Sequence, residues 1–198
     1  MSKFTPITIV LALIMGVAFM AYFTSSDDKQ VNKNAQNWQI TLFGEDEQPV
    51  NIFDLADPRI RIVYFGFTRC PDVCPTSLAM LSAALREVDD SVKMQFRPIF
   101  ISIDPERDDS KTAATYAHYF HPMIEGLSAP LDKTTLLAQH YEVVFRKAEL
   151  PNSALGYTID HSSYFYFLKP DGTLLEKVPH TNSPEPIVVA INTTAENR

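Results

Sequence analysis

The chain has 198 residues, of which 45% are hydrophobic, so it can bury the core of one domain of ordinary size. Its formal net charge at pH 7 is −7, which argues against a nucleic-acid partner because binding phosphates requires clustered lysine and arginine.

The first 23 residues differ in composition from the rest. The stretch PITIVLALIMGVAFMAYF, Pro6 to Phe23, carries no charge over 18 residues. As a helix it would extend roughly 27 Å, about the thickness of a bilayer core. Lys3 precedes it and acidic residues follow it, so the positive-inside rule places the remainder of the chain outside the cytoplasm. We therefore predict a transmembrane anchor at residues 1–23, with a cleaved signal peptide as the alternative.

A polar segment at residues 24–37 reads as a linker, and residues 38–198 form the predicted domain. A continuous apolar run before the cysteines is typical of a strand buried on both faces of a sheet, and leucines at helical spacing follow it. The order of elements predicts a thioredoxin-like α/β sandwich with a central mixed sheet. The predicted elements are strands at 38–43, 59–67 and 94–104, helices at 75–90, 109–120, 132–141 and 183–194, and two strands over 157–178 that turn at Asp171-Gly172.

The two cysteines, Cys70 and Cys74, lie in GFTRCPDVCP, where the buried strand ends and ligand sites of open sheets collect. A structural disulfide is disfavoured, since it would close a short loop and bridge Cβ atoms that lie about 5–6 Å apart on a helix. A redox pair fits the helix N-terminus and the neighbouring Arg69, although thioredoxins have two residues between their cysteines rather than three. A metal site suits the wider spacing best, because two sulfurs bonded to one ion at about 2.3 Å can lie up to about twice that distance apart. Soft thiolates select Cu(I), with zinc as a competitor.

A metal site needs a third ligand, and His161 is the favoured histidine because TIDHSSYFYF places it just before an aromatic strand. We expect His118 and His121 to be surface or core residues of a helix, and we assign no special role to His140 and His180.

Two aspartates are candidates to orient the imidazole, Asp160 beside His161 and Asp104 at the end of a strand. The simpler interpretation makes Asp160 part of a turn and groups Asp104 with Arg107 and Asp108 in an ion pair that fixes a loop.

Three motifs, YFGFTRCPDVCPTSL, PIFISIDPERD and YTIDHSSYFYFLKPDG, resemble in sequence and order the Sco/SenC family of membrane-anchored copper proteins. The similarity covers about residues 38 to 180. In that family the two cysteines of the first motif and the distal histidine bind one copper ion. The resemblance therefore implies that Cys70, Cys74 and His161 are the copper ligands here.

The resemblance also implies a function. It predicts a non-enzymatic copper chaperone that delivers copper to the dinuclear centre of cytochrome c oxidase subunit II, or to another copper or thiol acceptor. The alternative is a periplasmic thiol–disulfide oxidoreductase that uses Cys70 and Cys74 as its redox-active pair. In either case we expect a single-pass protein of a bacterial inner membrane with its C-terminal domain in the periplasm.

Overall fold

The computed structural model describes residues 40–197 of the chain. The anchor and linker predicted at residues 1–23 and 24–37 lie outside the described residues. Within residues 40–197, no helix is both long and apolar enough to cross a membrane. The described strands are β1 (Leu42–Phe43), β2 (Pro49–Val50), β3 (Ile60–Gly66), β4 (Phe96–Ser102), β5 (Glu125–Leu127), β6 (Phe145–Glu149), β7 (Tyr157–His161), β8 (Tyr164–Leu168) and β9 (Leu174–Pro179). The described helices are α1 (Val73–Glu87), α2 (Asp90–Lys93), α3 (Ser110–Phe120), α4 (Leu131–His140) and α5 (Glu185–Glu196).

Strand β3, the apolar run before the cysteines, is the centre of the main sheet, and each of its residues is buried. It pairs in parallel with β4 on one side and antiparallel with β8 on the other. The sheet has five strands in the order β5-β4-β3-β8-β9. The predicted mixed sheet and thioredoxin-like α/β architecture are confirmed.

Helices cover this sheet closely. Helix α1 packs against α3 and α5, and α3 lies on β4 and β5. The closest approach is at Gly126 in β5, where an added Cβ atom would lie 2.1 Å from the carbonyl oxygen of Ala113. Only glycine fits there, because the backbones of α3 and β5 are nearly in contact.

The prediction of two strands over residues 157–178 was wrong, because the structure has three strands there. Strand β7 does not join the main sheet; it pairs antiparallel with β6 in a separate two-stranded sheet. Ser162 and Ser163 separate β7 from β8, and β8 then turns into β9 at the predicted Asp171-Gly172, where Gly172 has a φ of +87°. Strand β6 was missed because its sequence FRKAE is polar and largely exposed.

Candidate metal centre

The first turn of α1 places the two cysteines beside each other. The helix begins at Val73, two residues earlier than predicted, and the side chain of its N-cap residue Asp72 makes no capping hydrogen bond. The backbone N–H of Cys74 instead donates to Cys70 Sγ at 3.4 Å. The N–H groups of a first helical turn need an acceptor, and here a sulfur atom is placed to serve as one.

The two sulfurs differ in exposure. Cys70 is half-buried and Cys74 is fully buried, and both are free thiols. Cys74 packs against the end of β3, since a Cβ atom on Gly66 would lie 3.0 Å from Cys74 Sγ. A glycine at this position therefore makes room for the buried sulfur, and the half-buried sulfur is the more accessible of the pair.

His161, the last residue of β7, reaches the cysteines from the other side. Its Nε2 atom lies 3.4 Å from Cys74 Sγ. Its ring is held edge-to-face by Tyr64 and Phe67, with centroid distances of 6.3 and 6.0 Å. The structure thus brings together the three side chains that the sequence singled out.

Hydrogen bonding also fixes the tautomer of this histidine. Its Nδ1 atom lies 3.0 Å from the carbonyl oxygen of Ser162. A carbonyl can only accept a hydrogen bond, so Nδ1 carries the proton and Nε2 of the neutral ring keeps its lone pair. That lone pair is directed toward the sulfurs, as a metal-binding imidazole requires.

The thiols have opposite acidities because they share a hydrogen bond. The pKa of Cys70 is lowered to about 4, chiefly because the Cys74 thiol donates to it and, against the effect of burial, because backbone N–H groups donate as well. The pKa of Cys74 is raised, because its proton is used in that bond and because it is buried beside a negative sulfur. The accessible cysteine is therefore the thiolate in the metal-free protein.

The donor set of two sulfurs and one imidazole nitrogen fits a soft ion such as Cu(I). Within the described residues, however, no group of three or more His, Cys, Asp or Glu side chains is already arranged to hold a metal ion. A sulfur bonded at about 2.3 Å and a nitrogen at about 2.0 Å lie roughly 3.6–3.8 Å apart around one ion. The observed 3.4 Å separation is slightly tighter, so the donors must spread by a few tenths of an ångström to admit the ion.

Neither candidate aspartate contacts the imidazole. Asp160 is exposed and forms an ion pair with Arg146 at 3.2 Å. Asp104 pairs with Arg107, as the simpler interpretation expects, and accepts a hydrogen bond of 2.7 Å from the hydroxyl of Tyr157. Asp104 thus holds the beginning of β7, the strand whose other end carries the histidine.

Asp108 has a different role from the predicted ion pair. Its buried carboxylate accepts from the backbone N–H and the hydroxyl of Thr68, at 2.8 and 2.5 Å, and from the hydroxyl of Ser102 at 2.8 Å. It therefore ties the loop before Cys70 to the end of β4. The neighbouring charges in DPERDD gave no sign of this role, since two of the three bonds come from Thr68, 40 positions away.

The other histidines lie away from the sulfurs, with one unexpected contact. His118 is exposed on α3, and Nδ1 of His121 accepts from the backbone N–H of Met123. His140 packs its ring against Tyr141. His180, to which the sequence assigned no role, lies 2.8 Å through Nδ1 from the buried hydroxyl of Ser77, one turn beyond Cys74 in α1.

Comparison with known proteins gives a consistent picture. The SCO1/SenC family model matches residues 28–196. The mitochondrial SCO2 protein of Saccharomyces cerevisiae is 31% identical over 183 residues, which is 85% of this chain and 59% of that protein's own length.

Solved structures extend the similarity to the fold. Arabidopsis thaliana ScoI with copper bound has a TM-score of 0.70 and 28% identity, covering 80% of this chain and 97% of that one. Bradyrhizobium japonicum ScoI with copper bound has a TM-score of 0.67 and 29% identity, covering 78% and 96%.

Proposed function

Because this chain belongs to the SCO1/SenC family, we propose that it is a copper-binding assembly factor. Copper is its cargo, held by Cys70, Cys74 and His161. The acceptor is the dinuclear copper centre of cytochrome c oxidase subunit II, or another protein with copper-binding thiols. The protein acts as a metallochaperone rather than as an enzyme.

One observation carries the proposal: Nε2 of His161, with its lone pair free, lies 3.4 Å from Cys74 Sγ although the two residues are 87 positions apart. A structural histidine at the end of a strand needs no sulfur neighbour. The copper-bound structures of relatives with the same fold support the choice of metal.

The difference in exposure between the sulfurs suggests how the ion leaves. A three-coordinate site leaves an open flank, and the half-buried Cys70 lies on the accessible side. A thiolate of the acceptor can bind the ion there and replace Cys70 first, while the buried Cys74 still holds it. Copper then passes by ligand exchange and is never free in solution.

The test is a Cu(I) titration of the reduced protein against a chromophoric chelator. We expect about one ion per chain for the wild type, and His161→Ala should lose tight binding. His118→Ala is the matched control, because His118 is an exposed histidine on α3. If His161→Ala bound Cu(I) as tightly as the control, the proposed ligand set would be wrong.

A second candidate function is thiol–disulfide exchange, and the unequal acidity of the cysteines favours it. An accessible thiolate beside a buried protonated thiol is the arrangement of an attacking and a resolving cysteine. Such an oxidoreductase needs both cysteines but not the imidazole. Reduction of a disulfide substrate by His161→Ala at the wild-type rate, with copper binding lost, would show that both activities exist and that only copper binding depends on His161.

We also propose that residues 1–23 anchor the protein in a bacterial inner membrane with the domain in the periplasm. The uncharged stretch from Pro6 to Phe23 and the preceding Lys3 support this location. Protease added to spheroplasts of cells expressing the full chain should digest the domain. Protection of the domain until the membrane is lysed would contradict the proposed orientation.

A further inference from the structure

Tyr64 carries a buried hydroxyl for which the fold provides no hydrogen bond. The residue lies in the centre of β3 and is fully buried. Its ring packs on Phe165 at a centroid distance of 5.0 Å. The hydroxyl, however, has no partner of adequate geometry. A buried polar group without a partner costs free energy, and a phenylalanine would fill this place in the core without that cost.

The groups around this hydroxyl indicate that its hydrogen-bond acceptor is present only when the candidate metal centre holds an ion. The polar side chains that face it are those of Cys74, Ser77 and Ser163. The Tyr64 ring and Cys74 Sγ also meet at Gly66, where an added Cβ atom would lie 3.0 Å from each of them. Tyr64 and the buried sulfur of the candidate metal centre are therefore neighbours at the end of β3.

The two serines are weaker acceptors than this sulfur would be with a charge on it. A hydrogen bond to an ionised acceptor is about twice as strong as one between neutral groups. Ser77 is already engaged with Nδ1 of His180 at 2.8 Å. A Cys74 sulfur bonded to copper is a thiolate. It would give the Tyr64 hydroxyl a charged acceptor that the metal-free protein does not offer.

We propose that Tyr64 is a positioning residue that donates a hydrogen bond to Cys74 Sγ when this sulfur holds copper, and thereby favours Cu(I) over Cu(II). The proposal rests on the proposed function. A hydrogen bond to a thiolate withdraws electron density from the sulfur. Hydrogen bonds around a ligating sulfur are known to tune the reduction potential of copper and iron–sulfur centres. Here the sulfur would donate less electron density to the metal, which disfavours Cu(II), the more highly charged ion.

The test compares Tyr64→Phe with Tyr116→Phe in the copper-loaded protein. Both substitutions remove a single buried hydroxyl that has no partner. Tyr116 packs on Phe100 and Phe120, and the cysteines act on its hydroxyl only through their charge, whereas Cys74 directly faces the hydroxyl of Tyr64. For Tyr64→Phe we expect the ratio of Cu(I) to Cu(II) affinity to fall about tenfold, the equivalent of one hydrogen bond to a charged group. The midpoint potential should fall accordingly, and the sulfur-to-Cu(II) charge-transfer band should move to longer wavelength. Tyr116→Phe should match the wild type in all three measurements.

A measurement on the wild-type protein tests the same hydrogen bond without depending on how the variant folds. With tyrosine labelled by ¹³C at Cζ, the Tyr64 resonance should shift when Cu(I) is added, and the Tyr116 resonance should shift much less. If the wild type binds copper but Tyr64→Phe is indistinguishable from it, or if the Tyr64 resonance does not move, the role of Tyr64 is refuted and the copper function stands. If the wild type binds no copper, the proposed function fails, and this proposal with it.

Discussion

Replacing Asp108 by alanine should weaken both the fold and the metal centre. The substitution removes three hydrogen bonds, from the N–H and hydroxyl of Thr68 and from the hydroxyl of Ser102. Each hydrogen bond to a charged group contributes about 1.5–3 kcal/mol. The two hydroxyls can rotate toward other acceptors, whereas the backbone N–H of Thr68 cannot. We therefore expect a loss of about 3–5 kcal/mol, a large part of the roughly 5–15 kcal/mol that stabilises a typical domain.

Urea denaturation followed by circular dichroism measures this loss, and a Cu(I) competition titration measures its effect on the site. Asp109→Ala is the control: its exposed carboxylate only caps α3 through the N–H of Thr112. That variant should lose much less stability and bind copper normally. Because Thr68 lies two residues before Cys70, the Asp108 variant should bind copper more weakly even at temperatures where it remains folded. Equal stability of the two variants, or normal copper affinity in folded Asp108→Ala, would refute the link between this carboxylate and the cysteine loop.

Three further predictions follow from the site and its supports. The rate at which iodoacetamide alkylates Cys70, followed by mass spectrometry, should stay constant from pH 8 to about pH 5 and fall only near pH 4. The reason is that the lowered pKa of Cys70, about 4, keeps the thiol ionised above that pH. A tenfold fall in rate per pH unit below pH 8 would indicate an ordinary thiol. Gly126→Ala should lower the melting temperature and reduce the free energy of unfolding by at least about 1–3 kcal/mol, since the added Cβ would overlap the backbone of α3. Gly44→Ala, where the added Cβ has ordinary contacts, should be nearly neutral, and equal effects of the two substitutions would contradict the close packing of α3 on β5. Arg107→Ala should weaken Cu(I) binding several-fold in a competition titration without changing thiol reactivity, because Arg107 holds the strand that positions His161; unchanged affinity would mean that the strand needs no such support.

The main sheet was predictable because its signals are local. The apolar run around β3 and the leucines of α1 follow the periodicities of a buried strand and an amphipathic helix. The position of Cys70 and Cys74 at the carboxyl end of β3 follows from those two elements alone. His161 could be selected because it precedes an aromatic strand, although the strand that carries it was not distinguished from β8.

The supports of the site were not predictable in the same way, because they depend on contacts between distant segments. Asp108 looked like one charge among several, yet its bonds to Thr68 span 40 positions. His180 has no neighbour in sequence that suggests its contact with Ser77, 103 positions away. Tyr64 is one aromatic residue in an apolar strand, and only the structure shows that its hydroxyl is buried without a partner.

The two candidate functions share their first step, which determines which experiments can separate them. Transfer of copper and exchange of disulfides both begin at the accessible sulfur of Cys70, and both leave the buried Cys74 to act second. Substituting either cysteine must therefore abolish both activities and cannot discriminate between them. His161 and Tyr64 differ from the cysteines in this respect, since they add a nitrogen ligand and a hydrogen bond that matter to a metal ion but not to a disulfide. The chemistry of this site is accordingly decided by the residues around the sulfurs rather than by the sulfurs themselves.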